Sequence, residues 1–370
     1  MRGALTIVRY RGIDVTVDLG LGLFAALMTY AINLDFGNAF PDLSGRIRLG
    51  IAVAVVVLFF AGVLVHELSH SLVAKAKGIP VNRIRLFLFG GVSELESDPA
   101  TPRDEFQISI AGPIASLAVA AVFGVVWFLV PWEPAIRAAR VLTLASAAVG
   151  VFNLVPGYPL DGGRILHAVI WGRTGDSQKA TAIAVTSGRV VAWALIGVGV
   201  VILTANGDLS GLWYLFVGWF LLQLATAAKR RADVIHGLEG LSVAEVMAPV
   251  RYAIPGEMTL ADYRDLYIYG ERYPTQPVVV DGRVRGLLGA GQLRDVPDDL
   301  WSSTTVAEKM SPIGPDDVVT DCVPVVDVLD KVNEPGKRLV VTAGGRVAGI
   351  LSVTDVFDKA ASRKSLGTRD

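Results

Sequence analysis

Two histidines and a glutamate stand together in His66-Glu67-Leu68-Ser69-His70, an H-E-x-x-H run, in a chain with only four histidines. On an α-helix, positions i and i+4 share a face, so both imidazoles can point at one ion. That pairing suits zinc, with the neighbouring carboxylate free to move the protons of a metal-activated water. The run follows IAVAVVVLFFAGVLV, residues 51 to 65, which carries no charge. Ionisable groups in so apolar a helix are costly and are kept where they act. A hydrolytic zinc site takes three protein ligands and leaves one position open. The third ligand must come from elsewhere. The candidate is Asp161, in Asn153-Leu154-Val155-Pro156-Gly157-Tyr158-Pro159-Leu160-Asp161-Gly162-Gly163-Arg164. Flanked by glycines at the broken end of an apolar segment, it can approach an ion closely. Glu67, beside a ligand and too near to be a convenient one itself, suits a general base.

These groups need elements to hold them, and six apolar segments read as membrane spans: roughly 17–34, 49–74, 106–130, 138–156, 187–205 and 211–228. Each approaches the ~20 residues that a bilayer requires. The fourth is interrupted by Pro156, Gly157 and Pro159, a break tolerated at membrane depth where it is packed or lines a polar cavity. The composition is 52% hydrophobic, too apolar for an ordinary soluble protein. Arg2, Arg9 and Arg11 precede the first span; Lys75, Lys77, Arg83, Arg85 and Arg103 follow the second. Arg164, Arg173 and Lys179 follow the fourth, and Lys229, Arg230 and Arg231 the sixth. Arg46, Arg48, Arg137 and Arg140 blur the contrast, but the positive-inside rule still puts both termini in the cytoplasm and the histidines at the cytoplasmic end of span two.

A net charge of −1 offers no basic field for nucleic acid. One cysteine, Cys322, excludes an internal disulfide framework and a four-cysteine zinc site, and reads as a small core residue. The N-terminal stretch lacks a signal-peptide layout. After residue 236 the composition changes, and two soluble units repeat at an offset of 63: Val243-Ala244-Glu245-Val246-Met247-Ala248-Pro249 matches Val306-Ala307-Glu308-Lys309-Met310-Ser311-Pro312, and Gly282–Leu288 matches Gly345–Leu351. Each unit reads as a short helix, a strand, a helix and a glycine-turned hairpin. The expected fold is therefore a polytopic α-helical membrane domain of six spans plus a soluble α/β tandem module. Its limits are 1–236 for the membrane domain, 237–302 for the first repeat and 303–370 for the second with its tail.

H-E-L-S-H in one span and P-L-D-G-G in a later one resemble the site-2 protease family of intramembrane metalloproteases. The paired repeats resemble cystathionine-β-synthase (CBS) domains, which some bacterial and archaeal members of that family carry. The resemblance covers nearly the whole chain. It implies zinc held by His66, His70 and Asp161, with Glu67 catalytic. It further implies Asn153 as a donor to the substrate carbonyl, and Gly90 and Gly91 of Phe89-Gly90-Gly91-Val92 in a hairpin that pairs with an unwound substrate. Gly112-Pro113 matches a motif that serves helix packing. In the repeats, Thr354 and Asp355 match a nucleotide-binding pattern for ATP, ADP or AMP, whereas Gly291-Gln292 departs from it in the first repeat. The implied enzyme is a zinc endopeptidase of the cell membrane that cuts a membrane-anchored, regulatory protein, in contact with the lipid bilayer and assembled as a homo-oligomer through the CBS pair.

Simpler roles stand beside these. Asp161 could cap a helix, Asn153 could bind backbone near Pro156, and Gly90-Gly91 could be an ordinary turn. His167 reads as an interfacial side chain, His236 as linker, and the repeats as a dimerising module. A transporter gated by the CBS pair would show repeats among its spans and charges along a pathway, and the sequence has neither. A scaffold that had lost catalysis is at odds with intact His66, Glu67, His70 and Asp161.

Overall fold

The computed structural model describes residues 4–87, 90–95, 97–250, 252–268, 275–294, 296–334 and 336–367. It divides into two compact units, Met1–Lys229 and Arg230–Asp370.

The first unit begins with a hairpin of β1 (Ala4–Tyr10) and β2 (Ile13–Asp18). Arg11 and Gly12 turn it at φ 48° and 80°, a pair of left-handed positions whose twist matches that of the strands. The helices α1 (Leu19–Ala39) and α2 (Gly45–Ala76) follow, then a second hairpin of β3 (Val81–Phe87) and β4 (Gly90–Leu95). β3 runs parallel to β2, giving one sheet in the order β1-β2-β3-β4 with β4 at its edge. Ile13, Val15, Ile84 and Leu86 bury one face of the sheet against Ala74 and Ile108. Then come α3 (Pro102–Leu129), α4 (Glu133–Asn153), the 14-residue α5 (Asp161–Thr174), α6 (Ser177–Asn206) and α7 (Gly211–Leu238).

Six of these helices, all but α5, are long and apolar enough to cross a membrane. Large apolar side chains on them face outward: Leu23, Leu27 and Tyr30 of α1 are 67%, 57% and 64% exposed. In water such a face would have to be covered, whereas lipid solvates it directly. The fourth span ends at Asn153, short of the expected Pro156, because the residue before a proline is pushed out of the helical region. Residues 154–160 fold as turns, and α5 starts afresh at Asp161.

The second unit repeats one plan twice. The first pass is α8 (Val243–Val246), β5 (Ala248–Pro249), β6 (Ile254–Pro255), α9 (Leu260–Tyr263), β7 (Thr275–Val280), β8 (Arg283–Gly289) and α10 (Ala290–Leu293). The second is α11 (Val306–Lys309), β9 (Ser311–Pro312), β10 (Val318–Thr320), α12 (Leu329–Val332), β11 (Arg338–Ala343), β12 (Arg346–Ser352) and α13 (Val353–Gly367). The sheets are β6-β7-β8-β9 and β10-β11-β12-β5, so each repeat lends its first short strand to the other's sheet. Neither repeat completes its sheet alone.

Two local expectations change. Cys322 is exposed and not a core residue, since it sits in the turn after β10, where no sheet covers it. The stretch 229–240, expected as linker with His236 in it, is the end of α7 as far as Leu238; Leu238 and Val234 enter the core of the second repeat, which keeps the helix wound beyond its apolar part.

Candidate metal centre

His66 and His70 lie one turn apart on α2 and point the same way, with ring centroids 4.8 Å apart. Their Nε2 atoms are separated by 3.2 Å, and Asp161 Oδ2 lies 3.1 Å from the one and 3.3 Å from the other. These three atoms form a nearly equilateral triangle. Zinc bonds of about 2.0–2.1 Å at tetrahedral angles put ligand atoms roughly 3.3 Å apart, so the triangle has the edge lengths of one face of that tetrahedron. Among the described residues, it is the one group of three or more such side chains whose donor atoms converge closely enough to hold a metal.

The ring nitrogens turned away from the triangle are both engaged, and for His70 the partner fixes which nitrogen carries the hydrogen. His70 Nδ1 donates to the Ile108 carbonyl oxygen at 2.7 Å. A carbonyl can only accept, so the His70 Nε2 is left with a lone pair. His66 Nδ1 meets the Ser116 hydroxyl at 2.9 Å. Both partners belong to α3, and such outer partners hold a ring in ligating orientation. α3 can come this close because of Gly112. A Cβ there would lie 2.6 Å from His70 Cε1 and 2.8 Å from His66 Cε1, and closer still to His70 Nε2. One residue on, Pro113 removes the helical bond to the Ser109 carbonyl, and the Ser109 hydroxyl is buried without a partner.

Glu67 stands beside the triangle on α2. The Ser93 hydroxyl of β4 donates to its Oε2 at 3.1 Å, and the Ser71 hydroxyl donates to its main-chain oxygen at 3.0 Å. Gly91 lets β4 approach, since a Cβ there would be 2.8 Å from Glu67 Cδ. Gly90, at φ 132°, opens the strand. Phe89 lies outside the described residues.

The glycines after Asp161 do something other than admit an ion. A Cβ on Gly162 would strike the carbonyls of Val155 and Leu154, and one on Gly163 the backbone of Gly157 and Tyr158. They allow α5 to fold back on the 154–158 turn, which α6 braces through Tyr158 N to Ala184 O at 3.1 Å and Ser187 Oγ to Pro156 O. The Tyr158–Pro159 bond is cis. Asn153 is the half-buried last residue of α4. His167, expected at an interface, is buried against Glu105 of α3, Nδ1 to Oε2 at 2.6 Å. Ser93 of β4 and Ser116 and Glu105 of α3 do not stand out in the sequence, because single serines and one glutamate carry no spacing signal.

In the second unit, Asp355 accepts hydrogen bonds from Ser352 N at 2.8 Å and Ser352 Oγ at 2.5 Å, while Thr354 is exposed. Gln292, its counterpart in the first repeat, accepts from Gly289 N at 3.0 Å. Both residues cap the helix that follows a hairpin, whatever else they do.

Residues 54–139 and 132–195 match Peptidase family M50. Over 96% of its length the chain is 33% identical to Rip3 of Mycobacterium tuberculosis, named as a zinc metalloprotease, and it covers 92% of that protein. A solved site-2 protease from Methanocaldococcus jannaschii is 24% identical, with 61% of this chain and 94% of that one aligned at TM-score 0.42. The CBS domain of a bacterial CNNM/CorC-family Mg2+ transporter is 26% identical over 35% of this chain and 82% of its own, at TM-score 0.31.

Proposed function

Because the chain belongs to peptidase family M50 and is a multi-pass membrane zinc metalloprotease, we propose that it cuts a transmembrane segment of a membrane-tethered regulatory protein near the cytoplasmic face. The observation that carries the reading is the triangle of His66 Nε2, His70 Nε2 and Asp161 Oδ2 with Glu67 beside it. Those three residues would hold the ion. Bound zinc would polarise the scissile carbonyl and acidify a water. Glu67, steadied by Ser93, takes the proton of the attacking water and hands it to the leaving amine. Asn153 donates to the developing oxyanion.

The substrate adds to β4 as a further strand. β4 is an edge strand, and its Gly91 stands against Glu67, so a peptide paired there brings its carbonyls to the base. Arginine and lysine placement puts both termini in the cytoplasm. The CBS pair joins two copies of the chain and binds an adenine nucleotide at Asp355. The helix carrying Asp355 also carries Val356 and Ala360, which pack on Leu238 at the end of α7. A nucleotide that favours one setting of α13 therefore acts on the last membrane helix through α7 itself.

Zinc content of the purified protein, with cleavage of a membrane-anchored substrate, tests this. Glu67→Gln should keep near-stoichiometric zinc and lose cleavage; Asp161→Ala should lose both. Cleavage by Glu67→Gln at the wild-type rate, or full zinc in Asp161→Ala, removes that residue from its role.

A further inference from the structure

We infer that the buried Glu105–His167 pair is a positioning device for the metal ligands, locking α5 against α3 so that Asp161 meets the two histidines. The inference rests on the zinc reading above.

Glu105 and His167 are only 7% and 6% exposed, and their side chains meet at 2.6 Å. A carboxylate and an imidazole out of water are costly unless each satisfies the other. His167 Nε2 is also occupied, 3.2 Å from the Ser177 carbonyl oxygen and 3.3 Å from its hydroxyl at the start of α6. The imidazole thus joins three helices, and the rings of Tyr158 and Trp171 flank it at 6.1 and 5.8 Å.

What gives this cluster meaning is what its two helices carry. α3 presents the Ile108 carbonyl and the Ser116 hydroxyl to the histidines, and the bare backbone of Gly112 between them. α5 begins with Asp161. At about 1.5 Å of rise per residue, Glu105 lies about 4.5 Å along α3 from Ile108, and His167 about 9 Å along α5 from Asp161. The α3–α5 link is therefore fixed within two helical turns of both halves of the site. Two histidines on one helix are held by that helix. The aspartate comes from another element, preceded by a glycine-rich turn, so its distance depends on how α5 docks. Metal ligation tolerates only a few tenths of an ångström. A directional short bond sets that docking more sharply than apolar packing, which allows a helix to slide or roll.

The full-length chain in detergent is stripped of metal and titrated with zinc against a chromophoric chelator. The variants are Glu105→Gln, His167→Gln, the double variant Glu105→Leu with His167→Leu, and the transposed pair Glu105→His with His167→Glu. Thermal unfolding without metal is recorded for each. Replacing both partners by leucine removes two buried polar groups at once, so the metal-free fold should hold. Zinc affinity should nevertheless fall about 10- to 100-fold, the range for groups that orient ligands from behind. The single variants should fall at least as far, and the transposed pair should recover most of the loss. A purely structural pair would move the melting temperature and leave zinc affinity alone. Wild-type zinc affinity in the folded double-leucine protein, or no recovery in the transposed pair, overturns the inference. His66→Ala runs alongside: zinc binding that survives it would mean that the metal site itself has been misplaced, a different failure with a different signature.

Discussion

Gly112→Ala adds one methyl group at the place where α3 touches the histidine pair. The new Cβ would lie 2.6 Å from His70 Cε1 and 2.8 Å from His66 Cε1. Carbon atoms pack at about 3.5–4.0 Å, so either α3 or both rings must give way by roughly 1 Å. Glu105 ties α3 to His167 of α5, and the Ile108 and Ser116 bonds hold only the Nδ1 edges of the two rings, so the Nε2 edges that face the metal should move. A displacement of that size exceeds the roughly 0.2 Å within which ligand distances must hold. Zinc affinity should then drop at least 10- to 100-fold, or about 1.4–2.7 kcal/mol, and cleavage on the order of 100-fold at saturating zinc. Secondary structure should survive, because alanine is the better helix former by about 1 kcal/mol. The assay is chelator-competition zinc titration with circular dichroism on the same samples. Gly197→Ala serves as the control, a helical glycine of α6 with open space where its Cβ would go. If Gly112→Ala binds zinc within threefold of wild type, the rings are free to swing and the argument from close packing is wrong.

Two further outcomes are expected. Substrates with Gly or Pro near the scissile bond should be cut faster than versions with Leu there, since a helix hides its carbonyls in i to i−4 bonds; faster cutting of the Leu-rich substrate would sink the strand-addition reading. Calorimetry with ATP, ADP and AMP on the full chain should show binding that Asp355→Ala weakens, and the nucleotide should shift cleavage several-fold to about a hundredfold; heat with none of the three would leave the pair as a dimerising module whose Asp355 only caps its helix.

The sequence by itself determined the chemistry and the kind of scaffold. Helical spacing put His66 and His70 on one face, charge-free length marked the spans, and the repeat at offset 63 marked the second unit, because helix period, bilayer thickness and duplication are all written along one dimension. Glu67 and Asp161 also stood out in the sequence, as rare ionisable groups in apolar surroundings. What only the tertiary structure decided is what crosses between elements. The sequence attributes the glycines of Asp161-Gly162-Gly163 to approach toward an ion; in the fold they admit the carbonyls of Leu154 and Val155. Gly112 reads as helix packing, and it is, but against the two imidazoles. His167 gave no sign of its bond to Glu105, 62 residues away in the chain. The exchange of β5 and β9 between the two sheets is equally invisible in the repeat, since two similar patterns do not say which copy pairs with which. Spacing tells which side chains share an element's face. Which element that face meets, and at what distance, is settled only when the helices dock.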